Sequence, residues 1–243
     1  MDPSFWLIGS NNAKKAQEMA AILQPIGVKI QTPRDISLVL DVEEWGTTFQ
    51  QNATLKALAF AAATRGVCVA DDSGLSVDGL DGAPGVYSAR YAGPNATDTD
   101  NNRKLQDALL GKREDARRAR YHCSIAIACA QSYSDPQIEQ LRAHLPPLHY
   151  RGFDALDTGA AWAIEGDTIH TLVGADEAMN LWLFSATWEG RIGTEPKGQG
   201  GFGYDPWFVL EDGRHVAELP DEEKNQRSHR AQALREFDHA LRA

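Results

Sequence analysis

The sequence is poor in cysteine, with three in 243 residues: Cys68, Cys123 and Cys129 each sit in an apolar, strand-like run, and none is in CxxC spacing. That pattern speaks against a disulfide framework or a thiolate zinc site and leaves buried, reduced thiols as the expectation. Basic residues are also in short supply, 24 Lys and Arg against 34 Asp and Glu, for a formal net charge of -10. A surface of that sign is not built to follow a nucleic-acid backbone or an anionic membrane, so a phosphate ligand would have to meet a local basic pocket. No apolar run nears the roughly 20 residues of a membrane span, and the start MDPSFWLIGS lacks the basic residues and cleavage site of a secretory signal. A cytoplasmic protein with no nucleic-acid or membrane partner is expected. There is no HExxH pair, no Walker glycine pattern, no internal repeat and no low-complexity tract.

What is present is 42% hydrophobic residues, enough for a real core in a single α/β unit of two lobes. FWLIG (5–9) has the length of a buried strand, and NNAKKAQEMAAILQ (11–24) has helical spacing at Ala16, Met19, Ala20 and Leu23. VKI (28–30) suggests a second strand. Thr47 or Thr48 can cap an alanine-rich helix to about Thr64, which Gly66 ends before a strand VCVA (67–70). The Asp71-Asp72 pair is thereby placed at a strand's C-terminal end, where ligands bind in α/β sheets. A helix from Thr97 to Leu110 and a long strand at 118–130 follow. Beyond them a hairpin at 161–173, an alternating strand at 181–193 and a capped C-terminal helix are expected.

Four polar constellations interrupt this pattern. GSNNAKK (9–15) brings free helix N–H groups together with Lys14 and Lys15, which suits a phosphate, although taken alone a capped helix with solvated lysines is the favoured account. Glu43 and Glu44 precede a helix on which Asn52 and Lys56 share one face, either as a solvated pair or as a lysine aimed at a phosphate. Asp71 and Asp72, followed by glycines at 74, 79, 82 and 85, are either an acidic turn or hard oxygen ligands beside a tightly turning backbone. GQGGFGYDP (198–206) and SHR (228–230) set Phe202 between glycines, with Asp205, His229 and Arg230 able to read the edge of a planar ring.

SNNAK, EEWGTTFQQNATLKA, ADDSGLSVDGLDGAPGVYSARYAG, ARYHC, GRIGTEPKGQGGFGYDPWF and AELPDEEKNQRSHRAQAL occur in that order. Through them the chain resembles the inosine triphosphate pyrophosphatase family, hydrolases of deaminated purine nucleoside triphosphates. The resemblance implies an elongated α/β fold, with a long mixed central sheet flanked by helices and two lobes enclosing the site in a cleft. It implies a homodimer acting on ITP, dITP and XTP, releasing the monophosphate and pyrophosphate with Mg²⁺ as cofactor. Residue by residue, Ser10, Asn11 and Lys14 resemble the first phosphate-binding motif, and Lys56 joins them. Glu44 and Asp72 resemble the magnesium carboxylates, with Asp72 also activating water and Asp71 supporting it. Ser73 and Gly74 complete that loop; Phe202, Gly203, Tyr204 and Asp205 resemble the base-contacting segment, and Lys224, Ser228, His229 and Arg230 the motif that closes over base and phosphates.

Gly9 stands where a hydroxyl residue is usual, and Gln51 where an acid is common. Those departures motivate one alternative, a catalytically silent nucleotide-binding module, and an extra segment further along the chain motivates another, a pyrophosphatase of altered base preference. The whole chain, 1–243, reads as one domain with an extra segment at about 131–182 in the second lobe, expected to be a surface extension of the sheet.

Overall fold

In the computed structural model, which describes residues 5–151 and 178–242, the first apolar run forms β1 (Phe5–Ile8) and the chain enters α1 (Ala13–Leu23) through Asn12. The Asn12 side-chain oxygen accepts from the amides of Lys14 and Lys15, satisfying two donors that a helix start leaves free. β2 (Lys29–Gln31) runs parallel to β1. The chain then crosses to α2 (Phe49–Thr64), where Thr48 and Gln51 close a reciprocal capping box. Gln51 therefore has a local task, accepting from the backbone amides of Thr47 and Thr48.

β3 (Val67–Val77) pairs in parallel with β1 and antiparallel with β4 (Arg118–Ala130), which in turn pairs antiparallel with β6 (Ala178–Ile192). β5 (Leu148–Arg151) lies on the outer edge of β6, and the two-residue β7 (Phe208–Val209) pairs with its end, giving a mixed sheet of order β2-β1-β3-β4-β6-β5. One expectation is corrected here. The strand does not stop before the acidic pair but runs through it, with Asp71 opposite Ile125, Asp72 opposite Ser124 and Gly74 opposite His122. The 13 residues of β4 offer a hydrogen-bonding partner along the whole of β3, so the ladder continues. Gly74 accordingly serves close approach, not a turn: a Cβ there would lie 2.4 Å from Ser88 Oγ and 2.7 Å from the Gly85 carbonyl.

Helices cover both faces. On one, Trp6, Ile8, Val67 and Val69 pack with α1, with α4 (Pro136–His144) and with the C-terminal helix α6 (His229–Arg242). On the other, Leu7, Cys68 and Ala70 pack with α2, every residue of which from Asn52 to Ala61 is buried. A third cluster around Leu75, Val77, Tyr121, Trp188 and Phe208 forms the second lobe, with Leu105 of α3 (Asp98–Ala108) packed into it. The short α5 (Asp221–Arg227) leads into α6. Residues 131–151 do more than extend the sheet: β5 adds an edge strand, while Ile138 and Leu141 of α4 are fully buried in the first core. The hairpin expected at 161–173, with Trp162, lies outside the described residues. All three cysteines are buried and unpaired, and among the described residues no helix is long and apolar enough to cross a membrane.

Candidate active site

Because successive side chains of a strand point to opposite faces, β3 sends Asp71 toward α1 and α6 and Asp72 toward α2. Their surroundings differ accordingly. Asp71 accepts from Arg230 Nη2 at 2.9 Å and Nε at 3.3 Å, accepts from Ser73 Oγ at 3.1 Å, and has Lys15 Nζ at 3.4 Å. Burial pushes its carboxyl up, but Lys15, Arg230 and Lys56 outweigh that and hold it well below the usual carboxylate range. Asp72 accepts from Asn52 Nδ2 at 3.1 Å and has Lys56 Nζ at 3.4 Å, while the same ammonium lies 3.0 Å from Glu44. One cation is shared by two carboxylates. Burial raises the Asp72 pKa, Lys56 and Lys15 offset part of the rise, and Glu44 and Asp71 add to it. Lys56 is buried too, yet Asp72, Glu44 and Asp71 keep it protonated. Adjacent acids pushed in opposite directions suit different tasks: Asp71 is an ionised anchor for cations, and Asp72 is the carboxylate of the pair that takes a proton more readily.

The second lobe contributes a cavity of about 110 Å³, lined by Asn12, Lys15, Ser73, Gly74, Tyr121, Phe202, Gly203, Tyr204, Asp205, Lys224, His229 and Arg230 among others. Its charged groups form one chain. Asp205 accepts from Lys224 Nζ at 2.8 Å and from Tyr121 Oη at 3.0 Å; Lys224 also lies 2.8 Å from Glu18, which pairs with Arg230, which pairs with Asp71. Lys224 Nζ stands 4.6 Å from the centre of the Phe202 ring and Lys14 Nζ 5.7 Å from it. The His229 ring stacks on Tyr121 at 4.9 Å; burial, with Arg230 and Lys224 nearby, keeps it neutral, and its Nδ1 has no partner among the described residues.

The expected site residues thus separate into groups. Ser73, Gly74, Phe202, Gly203, Tyr204, Asp205, Lys224, His229 and Arg230 converge on the cavity, and Glu44, Lys56 and Asp72 form the adjoining cluster. Ser228 is spent locally, its hydroxyl accepting from the Ala231 amide at the start of α6. At α1 the cavity receives Asn12 and Lys15. Ser10 and Asn11 line a neighbouring groove of about 560 Å³, where Asn11 donates to the Leu40 carbonyl, and the exposed Lys14 reaches the Gly201 carbonyl at 3.4 Å. Lys15, Glu18, Asn52 and Tyr121 were not among the residues matched to the family motifs, although Lys15 was noted beside Lys14 and Asn52 on the face of Lys56. The first two share the face of α1 at i and i+3, and Asn52 lies one turn before Lys56, so helical spacing was the available signal.

The donor chemistry suits a hard divalent cation. Magnesium is usually held by one or two carboxylates, with phosphate oxygens and waters completing the shell, and Glu44 and Asp72 supply two. Asp71 Oδ1, on the next residue of the strand, is buried without a hydrogen-bond partner among the described residues. No group of three or more Asp, Glu, His or Cys residues among those described could hold a metal by itself, so such an ion would depend on ligands from the substrate.

A family model described as the Ham1 family matches residues 6–141 and 166–240. A protein from Halalkalibacterium halodurans named dITP/XTP pyrophosphatase is 38% identical over 234 residues, covering 96% of each chain. One of the same name from Bacillus subtilis is 35% identical, covering 98% of this chain and 96% of the relative. Among solved structures, a HAM1 protein from Coxiella burnetii is 33% identical and superposes with a TM-score of 0.70 over 98% of both chains.

Proposed function

The chain belongs to the Ham1 family, and we propose that it is a magnesium-assisted pyrophosphatase of deaminated purine nucleoside triphosphates, converting XTP, dITP and ITP to the monophosphate and pyrophosphate. The observation that carries this reading is the divergence of Asp71 and Asp72 beside a cavity edged by the Phe202 ring and by Lys15, Lys224 and Arg230. Glu44 and Asp72 would hold Mg²⁺, which would supply positive charge where the phosphate oxygens build up negative charge. Asp72, hydrogen-bonded by Asn52 and raised in pKa, takes the proton of the attacking water. Lys56 and Lys15 neutralise charge on the triphosphate. Phe202 offers its face to the base, and Arg230 presents the N–H that Glu18, Asp71 and Ser73 leave free to a 6-keto oxygen. Adenine would set a 6-amino donor against that donor, and an unpaired buried donor costs roughly 1–3 kcal/mol.

The two departures in sequence give no support to a silent module. A Cβ on Gly9 would lie 2.6 Å from Cys68 Sγ and 2.9 Å from Phe60, so glycine serves packing there, and Gln51 serves capping. The family resemblance further implies a homodimer, which light scattering would read as twice the chain mass. The deciding assay incubates the purified protein with XTP, dITP, ITP, GTP and ATP, with and without Mg²⁺, and follows monophosphate and pyrophosphate. Mg²⁺-dependent release of both from XTP or ITP, with ATP nearly untouched, is the expected outcome. Nucleotide binding without turnover would overturn the reading.

A further inference from the structure

Gly203 lies between Phe202 and Tyr204 and adopts a left-handed conformation with φ of 62°. Among the described residues, nothing beyond its chain neighbours lies within 4 Å of the place a Cβ would take, so no packing contact holds the peptide on that side. Two side chains of α3 do. Asp98 accepts from the Gly203 amide at 2.8 Å, and Asn102, one turn later, donates Nδ2 to the Gly203 carbonyl at 2.9 Å. The first turn of α3 divides its polar groups with economy. Asp100 forms the capping box with Thr97, which leaves the Asp98 carboxylate free for a partner outside the helix. Asn101 is directed elsewhere, to the Ala92 amide and the Ala89 carbonyl. The Asn102 carbonyl oxygen is buried with no partner among the described residues, so the contact with Gly203 is what sets the orientation of that amide.

We propose that Asp98 and Asn102 are positioning residues for base recognition: they grip both sides of the Gly203 peptide and thereby fix the Phe202 ring at the edge of the cavity. A glycine has wide backbone freedom, and the residue before it carries the aromatic platform, so loss of either grip lets the platform drift from the base. The phosphates are held by a different set of groups, at α1 and α2. The grip therefore governs substrate affinity and leaves the chemical step at Asp72 in place. This inference rests on reading the cavity as the base site.

Steady-state kinetics with XTP test it, alongside thermal unfolding. Wild-type turnover comes first, because its absence sinks the proposed function itself. Given turnover, Asn102→Ala raises KM by up to about tenfold, the order expected for one lost hydrogen bond, with kcat within about threefold and Tm within a few degrees of wild type. Asp98→Ala behaves likewise, and Asp98→Asn, which keeps an oxygen facing the Gly203 amide, recovers most of the lost KM. A KM unchanged in Asn102→Ala, or a fall in kcat alone, overturns the inference while leaving the function standing. Should Asn102→Ala fail to fold, the Asp98 pair decides: equal KM in its Ala and Asn variants overturns the inference, and rescue by Asn supports it.

Discussion

Asp71→Asn and Asp72→Asn exchange neighbouring, chemically identical side chains for the same amide, and the structure expects opposite effects on stability. Asp71 is the main partner of an Arg230 side chain that is only 1% exposed, and it also faces Lys15. Removing its charge leaves a buried guanidinium paired only to Glu18, and breaking one side of such a pair costs about 3–5 kcal/mol. For a chain of this size that lowers Tm by roughly 6–20 °C. Asp72 is different because its charge is opposed by burial and by two carboxylates. An amide there still accepts from Asn52, and Lys56 retains Glu44. Asp72→Asn is therefore expected to gain about 1 kcal/mol, or a rise of roughly 2–4 °C, as catalytic positions that trade stability for function commonly do. Turnover of XTP falls in that variant by about 100- to 10,000-fold, the usual range for a lost general base.

The pH dependence has opposite signs as well. Asp71 titrates lower in the folded chain than in the unfolded one, so its contribution is present above the ordinary carboxylate pKa of about 4 and is lost as pH falls toward the folded value. The deficit of Asp71→Asn against wild type should therefore shrink in acid. Asp72 titrates higher when folded, so the wild type is relatively favoured below about pH 4 and loses that advantage as pH rises through the folded value. The advantage of Asp72→Asn should accordingly appear only on the alkaline side. Both measurements need a chelator, since a cation bound by the wild type alone would mask the gain. Equal losses of Tm in the two variants, or a larger loss in Asp72→Asn, would refute the assignment of anchor and base.

Two further outcomes follow from packing and burial. Gly9→Ser adds a hydroxyl beside the start of α1, yet its Cβ would lie 2.6 Å from Cys68 Sγ and 2.9 Å from Phe60; it should cost about 1–3 kcal/mol in urea unfolding without raising turnover, and a more active or more stable variant would contradict this. Burial pushes Cys123 and Cys129 up to about 12, and Cys68 is raised as well, so a chromogenic disulfide reagent at pH 8 should find no reactive thiol in the native protein and three in guanidinium.

Much of the fold was legible because its signals are local. The apolar run read at 5–9 is a strand over Phe5–Ile8, the cap expected at Thr47 or Thr48 is Thr48, the helix expected from Thr97 to Leu110 spans Asp98–Ala108, and the strand expected at 118–130 is there. The course of β3 was not legible, because Asp71, Asp72, Ser73 and Gly74 read as a turn when taken alone. They stay extended through a partner strand some 50 residues further on, a pairing that no local pattern contains. At α1 the ambiguity was of register. Asn-Asn and Lys-Lys give two pairs with the same three-residue spacing, Asn11 with Lys14 and Asn12 with Lys15, and one residue on a helix is a rotation of about 100°. Packing of Ala16, Met19 and Leu23 against the sheet settles it, sending Lys15 to Asp71 and leaving Lys14 exposed.

The acidic doublet is the deepest case of the same limit. Sequence shows two aspartates side by side, and only the family resemblance gives them different tasks, while the sheet separates them by 180° about the strand axis. Asp71 joins α1 and α6, whose cations arrive from residues 15 and 230, and Asp72 joins α2, whose lysine is already shared with Glu44. The difference in their electrostatic settings is thus made by which helix covers which face, and it could not be read from the doublet alone. The same covering links the cavity of the second lobe to the cluster around Asp72 although they share no lining. Glu18 holds Arg230 and Lys224, Arg230 holds Asp71, and β3 places Asp72 next in line, so the cations that line the cavity are tied through buried ion pairs to the strand that carries Asp72.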